Sequence, residues 1–275
     1  MSDDILVSVK DGVATVTLNR PKKRNAVHLQ MWRGLEAAFL DLAKDTTVRV
    51  AILTGAGGNF CAGADISEFA DVRSDAESGR IYEEATEAAT IAIRDFPLPT
   101  IAAVSGYGVG GGCGLALACD FRVGDPSTRM GIPAARLSIV YSALDCGLLY
   151  RAVGLAQAKR VLFSGRHFVV DQCLGMGLID SAHEQDALAG ALELAGEFVA
   201  NAPLSLRGSK IGRAFLRSSI RLSRASTIKK ARRHSWKSAS PYSLDAEGYR
   251  KWLGLEWTSA ARLRIWCCST AVREV

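Results

Sequence analysis

The chain has 275 residues, 48% of them hydrophobic and 23% charged, so it is long and apolar enough to bury a large globular core. No apolar run approaches the ~20 residues of a membrane span, and the N-terminus lacks signal-peptide features, so we expect a cytoplasmic protein without a membrane partner. Seven cysteines without a CxxC pair and four scattered histidines argue against a disulfide framework, a thiol–disulfide centre and a metal site.

The net charge of +6 is unevenly distributed along the chain. Residues 198–244 hold eleven Lys and Arg and no Asp or Glu, which leaves the rest of the chain with a net charge of −5. Such a basic section suggests a polyanionic partner, such as nucleic acid or a phosphate-rich small molecule. A solvated helix face or an oligomer contact is an equally good interpretation.

The first elements are predicted from hydrophobic periodicity. Alternating residues predict strands over 5–10 and 13–18, joined at Asp11-Gly12, a strong hairpin signal. Apolar residues at three- and four-residue spacing predict an amphipathic helix over 28–44, and an apolar run predicts a strand over 48–53.

Strands and helices continue to alternate through the rest of the core, which predicts an α/β fold. The predicted elements are a helix over 81–94, a strand over 100–104, a helix over 115–119, a strand over 121–123, and helices over 155–163, 171–176 and 186–200. The region around Pro203 is interpreted as a hinge to a helical, basic C-terminal section.

A glycine-rich bend lies between the strand at 100–104 and the helix that follows it. Gly106, Gly108 and Gly111 match a dinucleotide-binding fingerprint, and Asp125 follows the next strand, where a ribose-binding acid would be sought. The pattern is weak when it stands alone, so NAD binding is only a distant alternative. More generally, a strand that ends in glycines before a helix presents bare N–H groups to an anion.

A second strand-end loop, Asn59–Ile66, carries similarly small residues. Two such loops can each offer one backbone N–H to a single carbonyl oxygen, because small side chains let the substrate lie against the backbone. Two N–H donors would stabilise an enolate or a tetrahedral oxyanion. The pair of loops therefore predicts an oxyanion hole.

Eight segments in a fixed order carry a resemblance to a known family: Leu18–Ala26, Val50–Gly57, Phe60–Ile66, Ile101–Cys113, Leu115–Asp120, Met130–Leu137, Leu162–Arg166 and Gly175–Ile179. In these segments the chain resembles the crotonase superfamily, that is, the enoyl-CoA hydratase/isomerase family. The resemblance covers roughly residues 5–182, and the order and spacing of its motifs make it specific.

The resemblance implies a spiral core of ββα turns over residues 1–200. It implies a basic, helical C-terminal trimerisation section over 201–275, in which residues 255–275 form an atypical tail. It further implies a homotrimer or a dimer of trimers and an acyl-CoA thioester ligand. Coenzyme A would then be part of the substrate, with no separate cofactor, and nucleic acid would not be the partner of the basic section.

The resemblance also implies the residues of the binding site. Ala64 and Gly111 would supply the oxyanion-hole N–H groups. Ala64 to Ser67 would line the path of the adenine and pantetheine groups, with Arg24 and Ala26 near the coenzyme A. The substrate-binding residues carried over by motif are Arg24, Ala26, Ala62, Ala64, Asp65, Ile66, Ser67 and Gly111.

The two catalytic glutamates of family hydratases are missing from this chain. Their positions are Gly114 and Ala134, and neither residue can hold or move a proton. The loop after the second position offers Tyr141, Ser142 and Asp145 instead. Asp145 could act as a base or a nucleophile, and Tyr141 could donate a proton to a leaving group or a carboxylate. Alternatively, Tyr141 is a packed wall and Asp145 the N-cap of a helix over 146–153.

Glu83, Glu84 and Glu87 lie on a helix that borders the acyl pocket in family members, although such residues more often form a solvated face. Cys61 and Cys113 are interpreted as small core residues, and His28 as a surface residue that starts a helix.

Two functions from different classes stay open. The first is an enzyme that acts on an acyl-CoA thioester through an enolate without the usual pair of glutamates: a divergent lyase, decarboxylase, isomerase or hydrolase, with a place in fatty acid metabolism. The second is a catalytically silent acyl-CoA-binding relative.

Overall fold

The computed structural model describes residues 3–68 and 75–215, and within these ranges the chain forms two β-sheets and seven α-helices. The strands are β1 (Ile5–Lys10), β2 (Val13–Leu18), β3 (Val50–Gly55), β4 (Thr100–Val104), β5 (Tyr107–Val109), β6 (Phe121–Gly124), β7 (Arg129–Gly131), β8 (His167–Val169) and β9 (Ser181–Ala182). The helices are α1 (Leu29–Leu42), α2 (Ala76–Arg94), α3 (Gly111–Ala118), α4 (Ala143–Ser164), α5 (Val170–Met176), α6 (Ala187–Val199) and α7 (Pro203–Phe215).

The larger sheet has six strands in the order β1-β2-β3-β4-β6-β9, and the smaller one has three in the order β5-β7-β8. Strands β1 and β2 form the predicted antiparallel hairpin, whose turn residues Asp11 and Gly12 have φ of 50° and 83°. From β2 onward every pairing in the larger sheet is parallel. The carboxyl ends of β3 and β4 therefore lie at one edge, which brings together the loops that follow them.

Each face of the larger sheet covers its own hydrophobic core, so strand β3 is buried on both sides. Leu53 packs in the larger core with α1, while Ile52 faces the smaller one beneath α6. Helix α6 presents Ala187, Ala191 and Ala195 to the sheet at four-residue spacing, and small side chains there let the helix approach closely.

Several element predictions need correction. The helix after the glycine bend begins at Gly111 rather than 115, and α2 begins at Ala76, capped by Asp75. The helices predicted over 146–153 and 155–163 are one helix, α4, interrupted only by the non-helical backbone of Gly154. Strands β5, β7, β8 and β9 were not predicted, because two or three residues are too few to show a period.

Helix α7 is fastened to the core by a largely buried lysine. The Nζ of Lys210 lies 2.6 Å from Asp120 Oδ2 and donates to the carbonyl oxygen of Leu98 at 2.8 Å. Helix α7 belongs to the predicted C-terminal trimerisation section over 201–275. The rest of that section, including the tail at 255–275, lies outside the described residues. Within residues 3–68 and 75–215, no helix is both long and apolar enough to cross a membrane.

Candidate active site

The loop that follows β3 runs alongside the segment that follows β4, and backbone hydrogen bonds join the two. The Cys61 N–H donates to the carbonyl oxygen of Tyr107 at 2.7 Å, and the Val109 N–H donates to that of Cys61 at 2.9 Å. Glycines allow the approach: a Cβ on Gly63 would lie 2.8 Å from the Val109 carbonyl oxygen, and one on Gly112 would lie 2.3 Å from that of Cys61. Any side chain at either glycine would therefore force the loops apart.

This alignment places the predicted donors, Ala64 and Gly111, beside each other. The position of a Cβ on Gly111 lies 3.6 Å from the Ala64 nitrogen, and both residues line the same cavity. Among residues 3–68 and 75–215, neither N–H donates to a protein acceptor. Gly111 is the first residue of α3, where the helix dipole adds partial positive charge. The pair is thus suited to hold a negatively charged oxygen.

The cavity has a volume of about 520 Å³ and is walled by several elements. Trp32 of α1 and Tyr82 of α2 form an aromatic side, joined by a hydrogen bond of 3.0 Å from the indole N–H to the phenol oxygen. Helix α2 also contributes Glu83 and Glu87, whereas Glu84 points elsewhere and pairs with Arg80. Helix α2 therefore borders the cavity as expected, and two of these three glutamates face it.

Asp145 and Tyr141 occupy the space beside Gly114. A Cβ on Gly114 would lie 3.0 Å from Asp145 Oδ1 and 3.4 Å from the Tyr141 hydroxyl oxygen. Both side chains line the cavity, as does Ala134. A carboxylate supplied by α4 thus stands where a side chain at position 114 would extend.

Asp145 is held by the start of helix α4, although it is not the N-cap. The N-cap is Ser142, whose hydroxyl accepts from the Asp145 N–H at 3.0 Å and donates to Asp145 Oδ2 at 2.8 Å. The helix also starts at Ala143 rather than 146, so the N-cap alternative for Asp145 is wrong. Because Ser142 engages Oδ2, Oδ1 is the oxygen directed at the space beside Gly114.

The pKa values of Asp145, Tyr141 and Cys61 are raised, which favours the neutral form of each group. Burial raises the pKa of the Asp145 carboxyl, the hydrogen bond from Ser142 opposes the rise, and the negative charge of Glu87 adds to it. Burial, with Asp145 nearby, raises the pKa of Tyr141 well above its ordinary value, so its phenol keeps its proton. Burial likewise raises the pKa of Cys61 to about 12, in accord with a core role.

The other residues carried over by motif lie at varied positions. Ala62 and Ile66 line the cavity. Asp65 is buried: burial raises its pKa, but bonds from Ser67 and Arg20 outweigh this and hold the pKa at about 2. The Asp65 carboxylate therefore stabilises the loop that follows β3.

The loop residues Arg24 and Ala26 are not part of the cavity lining, although the Arg24 carbonyl oxygen accepts a hydrogen bond of 2.9 Å from the N–H of Ala62, which does line the cavity. The Arg24 guanidinium lies 5.0 Å from the centre of the Tyr107 ring. Ala26 accepts a hydrogen bond from Arg20 at its carbonyl oxygen.

Asp125, the candidate ribose-binding acid, is a buried structural group. Its Oδ1 accepts from the Ser127 N–H at 2.8 Å, and the Ser127 hydroxyl in turn accepts from the Gly106 N–H at 2.8 Å. Asp125 therefore stabilises the glycine bend through Ser127. Among the residues that the structure describes, no group of three or more His, Cys, Asp or Glu could hold a metal ion.

A ββα spiral with a cavity at the carboxyl ends of its parallel strands is the fold of the crotonase superfamily. Residues 8–232 match the family model described as Enoyl-CoA hydratase/isomerase, and the chain belongs to that family.

Similar proteins agree with this membership. The chain is 33% identical to a short-chain-enoyl-CoA hydratase of Clostridium acetobutylicum, covering 76% of this chain and 80% of the relative. It is 34% identical to a 2,3-dehydroadipyl-CoA hydratase of Escherichia coli, and the match covers 75% of this chain and 80% of the relative. The crystal structure of an enoyl-CoA hydratase from Bacillus anthracis matches with a TM-score of 0.74 at 30% identity, covering 77% and 83% of the two chains.

Proposed function

We propose that this protein is an acyl-CoA enzyme of the lyase or isomerase kind that works through an enolate. In this proposal the thioester carbonyl oxygen accepts hydrogen bonds from the N–H groups of Ala64 and Gly111. The Asp145 carboxylate removes a proton from the α-carbon, and the electron pair of the broken C–H bond moves to the carbonyl oxygen as negative charge. The same carboxyl later delivers the proton to a carbon of the enolate, which re-forms the thioester carbonyl and leaves Asp145 ionised again.

The observation that carries the proposal is the pairing of two unengaged N–H groups with a carboxylate in one cavity. Loss of one oxyanion donor typically costs about 10²–10³ in rate. A positioned general base adds roughly 10²–10⁴. Because Gly114 and Ala134 carry no acid, Asp145 would perform the transfer with a single carboxylate rather than a pair of glutamates.

The raised pKa of Asp145 favours this role. A base works best when its pKa lies close to the working pH, because it is then ionised yet still has a useful affinity for the proton. Burial moves the pKa of Asp145 upward from the ordinary aspartate range, toward neutrality. Its fixed attachment to Ser142 also keeps Oδ1 oriented without further ordering.

A catalytically silent acyl-CoA-binding protein is the second candidate. It is favoured by one observation: Asp145 also stabilises the first turn of α4, which alone could account for a carboxylate at this position. The two candidates differ in one property, which is exchange of the α-proton of a bound thioester.

Exchange can be measured without knowing the natural acyl group. Butyryl-CoA is incubated with the protein in D₂O, and deuterium at the α-carbon is followed by mass spectrometry. We expect exchange with the natural protein and a loss of roughly 10²–10⁴ in its rate for Asp145→Asn. The matched control is Glu84→Gln, which removes a carboxylate from α2 outside the cavity lining and should leave the rate unchanged.

Each other outcome contradicts a defined part of the proposal. Exchange at the natural rate by Asp145→Asn would refute the role of Asp145. Binding of butyryl-CoA without exchange by the natural protein would establish the silent candidate. Failure to bind any acyl-CoA would refute both. A homotrimer or a dimer of trimers, a cytoplasmic location and a place in fatty acid metabolism stay predictions.

A further inference from the structure

The Tyr141 hydroxyl donates a hydrogen bond of 2.7 Å to the carbonyl oxygen of Gly110. That carbonyl belongs to the same amide group as the Gly111 N–H, because the amide joins residues 110 and 111. Tyr141 therefore contacts one end of an amide whose other end faces the cavity. In this structure the phenol proton is donated to the backbone, whereas donation to a leaving group or a carboxylate was one expectation from the sequence.

This amide is held from several sides. The Gly114 N–H donates a second hydrogen bond to the Gly110 carbonyl oxygen at 3.1 Å. The preceding amide, which joins Val109 to Gly110, is fixed as well, because its N–H donates to the carbonyl oxygen of Gly131 at 2.8 Å. Gly110 itself has φ of 56° and ψ of −121°, a conformation that essentially only glycine adopts. The Gly111 N–H is the one polar group of this arrangement that has no acceptor among the described residues.

A hydrogen bond to an amide oxygen draws electron density away from the amide nitrogen. Chains of hydrogen bonds strengthen one another in this way, by roughly 10–30% per bond in a site of low dielectric constant. Tyr141 can act so at any working pH, because burial raises its pKa and keeps the phenol protonated. The bond also fixes the plane of the amide, and with it the direction of the Gly111 N–H.

We propose that Tyr141 is a positioning residue of the oxyanion hole, which orients and polarises the Gly110–Gly111 amide without itself exchanging a proton with the substrate. The inference depends on the proposed function, since it assumes that Gly111 binds the thioester oxygen. Strengthening of one donor by 10–30% predicts that Tyr141→Phe slows α-proton exchange by about two- to eightfold. A proton donor would instead be worth roughly 10²–10⁴.

The direct readout is the carbonyl stretching frequency of the bound thioester. Butyryl-CoA with a ¹³C-labelled carbonyl is bound to each protein and its infrared difference spectrum is recorded. We expect the natural protein to lower the frequency relative to free butyryl-CoA, and Tyr141→Phe to move it part of the way back. Tyr150→Phe makes the same change at an exposed position of α4 and should leave the frequency unaltered.

Asp145→Asn separates polarisation from proton transfer. We expect it to keep the frequency shift while losing exchange, and Tyr141→Phe to keep the pH dependence of exchange while losing part of the shift. A ring-fluorinated tyrosine at position 141, whose phenol is a stronger donor, should lower the frequency further. This replacement tests the same idea if Tyr141→Phe does not fold.

The carbonyl frequency distinguishes a failure of the proposed function from a failure of the positioning role of Tyr141. If the natural protein binds butyryl-CoA without lowering its carbonyl frequency, the proposed oxyanion hole is refuted. If the natural protein lowers the frequency and neither replacement of Tyr141 changes it, only the positioning role is refuted. A drop in exchange of 10² or more in Tyr141→Phe, with a changed pH dependence, would make Tyr141 a proton donor and would also overturn the inference.

Discussion

Replacing Gly114 with alanine is expected to slow α-proton exchange while leaving the fold as stable or slightly more stable. Glycine inside a helix costs about 1 kcal/mol relative to alanine, so the change should stabilise α3 by up to that amount. The new Cβ would, however, lie 3.0 Å from Asp145 Oδ1 and 3.4 Å from the Tyr141 hydroxyl. Asp145 must then retreat by a few tenths of an ångström.

The size of the kinetic effect follows from that displacement. A misplacement of about 1 Å can cost about 10²-fold in rate, so a few tenths should cost roughly three- to tenfold. The assays are urea unfolding and deuterium exchange into butyryl-CoA. The matched control is Gly79→Ala in α2, where a new Cβ meets no atom within 4 Å, so only the gain in helix propensity should appear.

An unchanged exchange rate in Gly114→Ala would refute the reasoning, because it would mean that the position of Asp145 does not matter to the reaction. A loss of both stability and exchange would contradict it as well. Such a loss would show that the helix requires glycine at this position for its own packing, and that the space is not kept for the carboxylate.

Two further predictions concern the surroundings of Asp145, and a third concerns the ion pair between Lys210 and Asp120. Glu87→Gln removes a negative charge near Asp145 and so lowers its pKa. The rate of α-proton exchange should then begin to rise at a lower pH than in the natural protein. Replacing Gly114 and Ala134 with glutamate should yield crotonyl-CoA hydration only in combination with Asp145→Ala, because the Asp145 side chain occupies the space that a side chain at position 114 needs. Brisk hydration of crotonyl-CoA by the natural protein would contradict this prediction. Lys210→Met should lower the free energy of unfolding by about 1–2 kcal/mol in urea titrations, whereas a loss below 0.5 kcal/mol would show the ion pair to be unimportant.

The parts of the fold that the sequence predicted are those encoded locally. The hairpin at Asp11-Gly12 needs only two residues at positive φ, and the approach of Ala64 to Gly111 depends on small residues after two parallel strands. The order of the strands and helices followed from such segments along the chain, and the resemblance to a known family added the spiral arrangement of the core. Both kinds of information are written in short contiguous segments.

The parts that could not be predicted depend on contacts between distant segments. Asp145 and Gly114 are 31 residues apart, and only the packing of α4 against α3 brings the carboxylate to that space. The partner of Tyr141 is a backbone carbonyl, which no side-chain pattern reveals. Trp32 was predicted as part of an amphipathic helix, but periodicity cannot tell a core residue from one that lines a cavity.

The dependence of α-proton exchange on pH, measured for the natural protein and for Asp145→Asn, tests the central claim most directly. Asp145 must be ionised to accept a proton, so the rate should rise with pH through its raised pKa and then level off. We expect the midpoint of this rise to lie above the ordinary pKa of an aspartate, and we expect no such rise in Asp145→Asn. The same rise in both proteins would contradict it, because another group would then be moving the proton.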